Sequence, residues 1–431
     1  MKNISKILLL MLITAGVISF TGCKDEDPIV TPSKDEEHTG AITADQTWSA
    51  DKIHYLKGRC WVEAGATLTI EKGTIIKGRT GTEANASALI IARGAKINAA
   101  GTADEPIIFT TELDNINLGQ KTGSNLTETD IEKWGGLIIL GKAKISAENG
   151  DVEAQIEGIP ATETYGTFGG SDDADNSGTL TYVSLRHGGA LIGDGNEING
   201  LTLGGVGNGT TINHIEIAAT LDDGIECFGG SVNVNNIIIS YQGDDGVDLD
   251  MNYSGTFNNF MVIHGGDTDE GLEIDGPEGT TYTTGLFTLK NGTIISRDGS
   301  GSAADLKSKA QGTIEDCFFT GYTKYIKVRA NFDEANACAA KSDAYSYMTS
   351  ATAKLIVKNS TFNATALTDV ANAYTAVTAC AGGIDEALLD AAITSNGNTI
   401  ESSSSQGADQ TQFTSWTWIS AGYNGQIGNN D

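Results

Sequence analysis

Three short stretches carry most of the residues that could do chemistry. They read Asp222-Asp223-Gly224-Ile225-Glu226, Asp244-Asp245-Gly246-Val247-Asp248-Leu249-Asp250 and Asp269-Glu270-Gly271-Leu272-Glu273-Ile274-Asp275. In each, acids precede a glycine, and apolar and acidic residues alternate after it. A period of two turns Ile225, Val247 and Leu272 to one face and Glu226, Asp248 and Glu273 to the other. Stacked in register, the last three form one column, Asp250 and Asp275 a second, and the corner acids Asp223, Asp245 and Glu270 a third. Carboxylates about 5 Å apart on a sheet repel, so protons or cations must neutralise them. Calcium takes clustered carboxylate and backbone oxygens. The expected ligand set is Asp223, Glu226, Asp245, Asp248, Glu270 and Glu273. A solvated ladder of acidic turns is the competing reading.

The sign then reverses. The next two strands of this type are taken as Leu306-Lys307-Ser308 and Ile326-Lys327-Val328. That register puts Lys307 and Lys327 in the first outward column, and Lys309 and Arg329 in the second. A cation held on this face could polarise a bound carboxylate, and a basic side chain beside it could take a proton. Asp248, Glu273, Lys307, Lys327 and Arg329 are the catalytic set if the chain is an enzyme. A hydrolase would instead need an acid carboxyl and a base carboxylate at a defined separation.

Other signals are weaker. Asp173-Ala174-Asp175-Asn176-Ser177 has the odd-position spacing of a calcium loop without the rest of that motif. His187, His214 and His264 lack a close His pair. No Gly-x-Ser-x-Gly or phosphate-binding glycine loop occurs. No Cys-x-x-Cys pair supports a thiolate metal site. Cys338 and Cys380 lie in Ala-rich insertions and could pair in an oxidising compartment, whereas Cys227 and Cys317 fall at strand positions and read as core.

What must position these residues is a repeat of short strands. One strand type recurs from Tyr182-Val183 through His214-Ile215, Asn236-Ile237, Phe260-Met261, Gly292-Thr293 and Asp316-Cys317 to Asn359-Ser360, in steps of 22 to 24 residues that insertions lengthen to 32 and 43. A second type follows, and Gly200, Gly224, Gly246 and Gly271 precede four of its members. A glycine there fits a corner needing positive φ or close neighbours. Repeats of this length holding several strands predict an all-β, right-handed parallel β-helix. The Ala-rich stretches around 333–348 and 368–391 read as small helical insertions near the C-terminus. Phe413, Trp416 and Trp418 read as a final aromatic strand capping that end. The composition agrees: 54 glycines and only 5 prolines in 431 residues argue for many tight turns and against collagen-like or proline-rich chains. A net charge of −29 disfavours nucleic acid as a partner.

The N-terminus supplies an address. Lys2 and Lys6 precede an apolar stretch, Ile7 to Ile18, too short for a membrane span. It ends in Phe20-Thr21-Gly22-Cys23, which resembles a bacterial lipobox, in which Cys23 would be lipidated. Lys24-Asp25-Glu26-Asp27 resembles the surface-export signal of Bacteroidota lipoproteins. Residues 1–22 thus read as a signal peptide, 23–40 as a flexible acidic tether and 41–431 as one β-helix domain. The resemblance implies an outer-membrane, lipid-anchored protein facing the cell exterior.

A family resemblance extends further. Val62-Glu63-Ala64-Gly65-Ala66-Thr67-Leu68-Thr69-Ile70, Gly73-Thr74-Ile75-Ile76, Gly101-Thr102-Ala103-Asp104-Glu105-Pro106-Ile107-Ile108-Phe109-Thr110 and Trp134-Gly135-Gly136 resemble pectin lyase-like right-handed β-helix lipoproteins of Bacteroidota. The resemblance speaks for fold more than function, because this scaffold hosts lyases, hydrolases, adhesins and binding proteins. Gly243-Asp244-Asp245-Gly246 looks like the Asp-Asp element of polygalacturonases, and His264-Gly265-Gly266 faintly like their His motif. Tyr325-Ile326-Lys327 departs from their Arg-Ile-Lys motif, and their Asn-Thr-Asp element is missing. Lacking a complete catalytic set, the chain is expected to bind rather than catalyse, with a glycan or a cell-envelope protein as partner. The alternative is a calcium-dependent lyase or glycoside hydrolase acting on acidic polysaccharide.

Overall fold

The computed structural model describes residues 35–192, 198–363, 367–403 and 405–421. Residues 1–22, Cys23 and the first part of the tether lie outside them. The first strand, Glu36–Ile42, begins inside the stretch read as tether. Among the described residues, 26 strands join into one continuous sheet wound as a right-handed parallel β-helix.

Each coil contributes to three parallel stacks. Stack A runs through Leu201–Gly204, Ile225–Phe228, Val247–Asp250, Leu272–Ile274, Ser302–Leu306 and Lys324–Arg329. Stacks B and C are the two halves of longer strands such as Thr211–Ala218 and Asn233–Ser240. Those strands bend at one residue of positive φ: His214, Asn236, Asn259, Asn291 and Asp316 in successive coils. Asparagine tolerates this conformation, and its amide also spans the coils. Asn236 Nδ2 donates to Asn213 Oδ1 at 2.8 Å, and Asn259 Nδ2 to Asn236 Oδ1 at 2.6 Å. This ladder sets the register, which departs by one residue from the sequence expectation. Ile237 pairs with Phe260, not Met261, and Thr293 pairs with Phe318, not Cys317.

The inward residues form one continuous core, from Leu68 and Ile97 through Ile215, Ile237, Phe260 and Ile294 to Phe362. At the C-terminal end, the helices Ala344–Thr349 and Glu386–Thr394 set Tyr345, Met348, Leu389 and Ile393 against it. Cys338 and Cys380 are joined there, with Cα atoms 5.9 Å apart. Cys60, Cys227 and Cys317 are buried thiols.

Two segments cover outer faces. Ile145, Ile156, Ile159 and Phe168 pack over the early rungs of stack A, where Ile90 and Ile138 point outward. The C-terminal segment is not a strand and does not cap the end. It forms a turn of 3-10 helix, Gln410–Phe413, and the short helix Trp418–Ala421. Phe413 and Ile419 lie on Ile238, Met261, Ile263 and Ile295 on the outside of stack C. Outward isoleucines on these strands call for such a cover, since each removed from water contributes roughly 1.5–3 kcal/mol.

Candidate metal centre

The outward column of stack A changes character along the solenoid. Its successive members are Ile90, Ile138, Thr202, Glu226, Asp248, Glu273, Asp305, Lys327 and Thr375. The apolar members lie under the covering segment. The acidic members begin where that cover stops.

The corners before these strands are built alike. Asp223 Oδ1 accepts the N–H of Asp245 at 2.9 Å, and Asp245 Oδ1 accepts that of Glu270 at 2.7 Å. Glu270 Oε1 in turn accepts from the Ser302 hydroxyl at 3.1 Å. The glycines serve close approach rather than positive φ. A Cβ on Gly246 would stand 2.5 Å from both Gly271 O and Val262 Cγ1, and Gly200, Gly224 and Gly271 are hemmed in the same way. Without a Cβ at the corner, the next coil's carbonyl and an interior side chain can come in, and the acids of adjacent coils are drawn together.

Three of the six expected ligands converge. Asp223, Glu226 and Asp248 each offer an oxygen, all within 4.8 Å of one another. Asp223 and Glu226 are buried, 6% exposed each, and are not the solvated turn acids of the competing reading. Asn199 Nδ2 donates to Glu226 Oε2 at 2.5 Å. Asp248 Oδ1 is shut off from solvent with no hydrogen-bond partner. Burial pushes all three carboxyls well above the usual carboxylate range, and the neighbouring acids push them further. Asp245 is raised to about 8 by burial and then by Asp244 and Glu270. Such crowding is unfavourable for bare carboxylates and fits a bound cation. A second oxygen-only group, Asp222, Asp223 and Asp244, shares Asp223. These clusters could chelate a metal ion.

The other three expected ligands are engaged elsewhere. Asp245 holds the Glu270 amide, and Glu270 the Ser302 hydroxyl. Glu270 also contacts Lys327, and Glu273 contacts Lys307. Lys327 falls in the first column as expected, but the rung of Lys307 differs from the sequence expectation by two. Glu273 pairs with Asp305 and Asp305 with Lys327, so Asp305 holds the place assigned to Lys307. Lys307 falls to the second column, after Asp250 and Asp275. A two-residue slip keeps the face, so alternation could not reveal it. Asp305 is 1% exposed. It accepts Arg329 Nε on both oxygens, at 2.9 and 3.0 Å, and lies 3.9 Å from Lys327 Nζ. The basic stretch is thus an ion-paired network, not a free cationic groove. Lys327 stands three rungs from Asp248, about 14 Å along the stack. Burial lowers the Lys327 pKa, but Glu270 and Asp305 outweigh it and hold the ammonium charged. Burial raises the pKa values of Asp244 and Asp250, and Lys307 offsets part of that rise.

Reasoning from sequence missed Asn199 and Asp305. Asn199 precedes Gly200 as Asp223, Asp245 and Glu270 precede their glycines, so the corner pattern held its signal. Asp305 had none, because Ala303 takes the place of the corner glycine. His264 is buried edge-on against Tyr322, with ring centroids 5.0 Å apart, and burial lowers its pKa to about 3. It lines a cleft of about 320 Å³ with Tyr241, Gln242 and Arg297, which shares no residue with the cluster.

Fold and site together define a right-handed parallel β-helix with a cation-competent acid cluster on one sheet face. The chain belongs to the family described as Pectate-lyase like beta helix domain, which matches residues 40–418. The crystal structure of alginate lyase from Paenibacillus sp. str. FPU-7 aligns over 72% of this chain and 85% of that one, at 13% identity and a TM-score of 0.21, too loose a superposition to bear on mechanism. No curated protein matches. Membership in a lyase-like family, joined to the buried acid cluster, overturns the expectation of a non-enzymatic protein that only binds.

Proposed function

We propose that the chain is a calcium-dependent polysaccharide lyase acting on an acidic, uronate-containing glycan. The observation that carries this reading is the convergence of Asp223, Glu226 and Asp248 within 4.8 Å on a pectate-lyase-like fold. The oxygen-only donor set favours calcium over softer metals. Bound there, the cation would draw charge from the substrate carboxylate and acidify the adjoining C–H. Asp223, Glu226 and Asp248 are the holding groups, and Asn199 orients Glu226. Lys307 is the candidate base. Glu273 holds Lys307 in place, while Lys327 and Arg329 are taken up by Glu270 and Asp305.

Incubation with a panel of uronate polysaccharides, with calcium or with chelator, tests the proposal. Calcium-dependent absorbance of unsaturated ends, lost in Asp248→Asn and Lys307→Met, is the expected result. New reducing ends without that absorbance would mean hydrolysis. Neither signal from any polymer would overturn the reading.

We also propose that the mature chain is a Bacteroidota outer-membrane lipoprotein, anchored through Cys23 and facing outward, where it would meet acidic glycan or an outer-membrane partner. The support is the sequence of residues 1–27. Palmitate labelling of cells making the wild type and Cys23→Ala, followed by protease shaving, tests it. An unlabelled wild type would refute the anchor.

A further inference from the structure

A different set of side chains meets at the opposite end of the solenoid. Glu36 and His38 lie on the first strand, and His54 on the next coil, where it pairs in register with Glu36. His54 is 1% and His38 9% exposed. His54 Nε2 lies 3.0 Å from Ser49 O, and a carbonyl can only accept, so Nε2 carries the proton. The lone pair of His54 is therefore on Nδ1, which lies 2.9 Å from His38 Nε2. Trp48 stacks on His38 with ring centroids 4.2 Å apart and fixes that ring as well. Glu36 supplies an oxygen, and one ligand atom from each of the three residues lies within 4.8 Å of the others.

We propose that Glu36, His38 and His54 form a site for a divalent transition metal of the zinc class, which fastens the first strand to the coil beneath it. Two imidazoles and a carboxylate are a recurrent zinc donor set, with water completing the tetrahedron. The Ser49 carbonyl already plays the outer partner that metal-bound histidines use to fix tautomer and orientation. His38 joins by carrying its proton on Nδ1 instead of Nε2. His54 is preset, and Glu36 closes the site from the exposed edge. Its second oxygen remains for Lys52, which now lies 3.3 Å away. Burial lowers the pKa of both rings, His38 to about 4. Nitrogen donors separate this site in kind from the oxygen-only cluster on stack A.

The test is cobalt titration of the full chain, stripped with chelator and made without a histidine tag. One equivalent of Co2+ should give visible bands of a four-coordinate centre, and Zn2+ should abolish them. Affinity should fall roughly tenfold or more in Glu36→Gln and in His54→Gln, and stay unchanged in Asp248→Asn. Glu36 is exposed, so its variant decides the matter if His54→Gln fails to fold. Absence of bands in the wild type, or unchanged affinity in Glu36→Gln, would overturn the proposal, as would loss in Asp248→Asn.

Discussion

Glu226 and Asp248 face each other on adjacent rungs, with Asp223 closing the group from the corner. Unfolded, such carboxyls ionise near pH 4. Folded, Asp245 keeps its proton to about pH 8, and Asp223, Glu226 and Asp248 are also held well above the ordinary range, by burial first and then by one another. The folded state therefore binds more protons across that window, and stability must fall as pH rises through it. Thermal unfolding of chelator-treated protein should give a higher Tm at pH 5 than at pH 8. Calcium should remove most of that difference. Asp248→Asn should stabilise the cation-free protein at pH 8, by on the order of 1 kcal/mol, while erasing the calcium response. A cation-free Tm that rises from pH 5 to pH 8 would count against the crowded-carboxylate account.

The corners of stack A depend on glycine for space. A methyl group at Gly246 would press on the next coil's carbonyl and on Val262. Gly246→Ala should cost about 1–3 kcal/mol in urea unfolding, the range for overpacking a tight interior. Gly266→Ala, in the turn after His264 with nothing within 4 Å, should change stability by less than about 0.5 kcal/mol. Equal effects at the two sites would show that backbone freedom, not close approach, governs the corner. Much of this was legible in sequence: Gly224, Gly246 and Gly271 each precede an alternating acidic strand, and the column Glu226, Asp248, Glu273 follows. The asparagine ladder was also written there, in Asn235-Asn236 and Asn258-Asn259. Aligning Asn236 with Phe260 overlooked it and slipped that strand by one residue.

The C-terminal segment returns to the middle of the solenoid. Glu216, on the outer face of stack C, accepts the N–H groups of Trp418 and Ile419 at 2.8 and 3.1 Å. The same carboxylate lies 3.6 Å from the Arg186 guanidinium, and neither side chain is exposed. Ser184 bridges them, donating to Glu216 at 2.5 Å and accepting from Arg186 Nε at 2.6 Å. Residues 202 positions apart are thus tied through one buried charge. Glu216→Ala leaves Arg186 buried and unpaired, at a cost of about 3–5 kcal/mol. Limited proteolysis of that variant should cut first between residues 405 and 421, ahead of any cleavage in the coils. Resistance there equal to the wild type would show that the apolar contacts of Phe413 and Ile419 suffice to hold the segment.

Period-two alternation and a coil-length repeat were enough to define the solenoid and the face its acids occupy, because both follow from local backbone geometry. They could not say how many of those acids meet. That depended on the Asn199, Asp223 and Asp245 corners bringing adjacent coils together, and on which rung each insertion returns to. Asp305 stands where Lys307 was expected because a long loop precedes it and no corner glycine marks its start. Nor does local pattern reveal that Trp418 reaches Glu216, or that Glu36, His38 and His54 converge at the first coil. Those meetings join residues from different turns of the helix, and only the packed coils bring them within bonding distance.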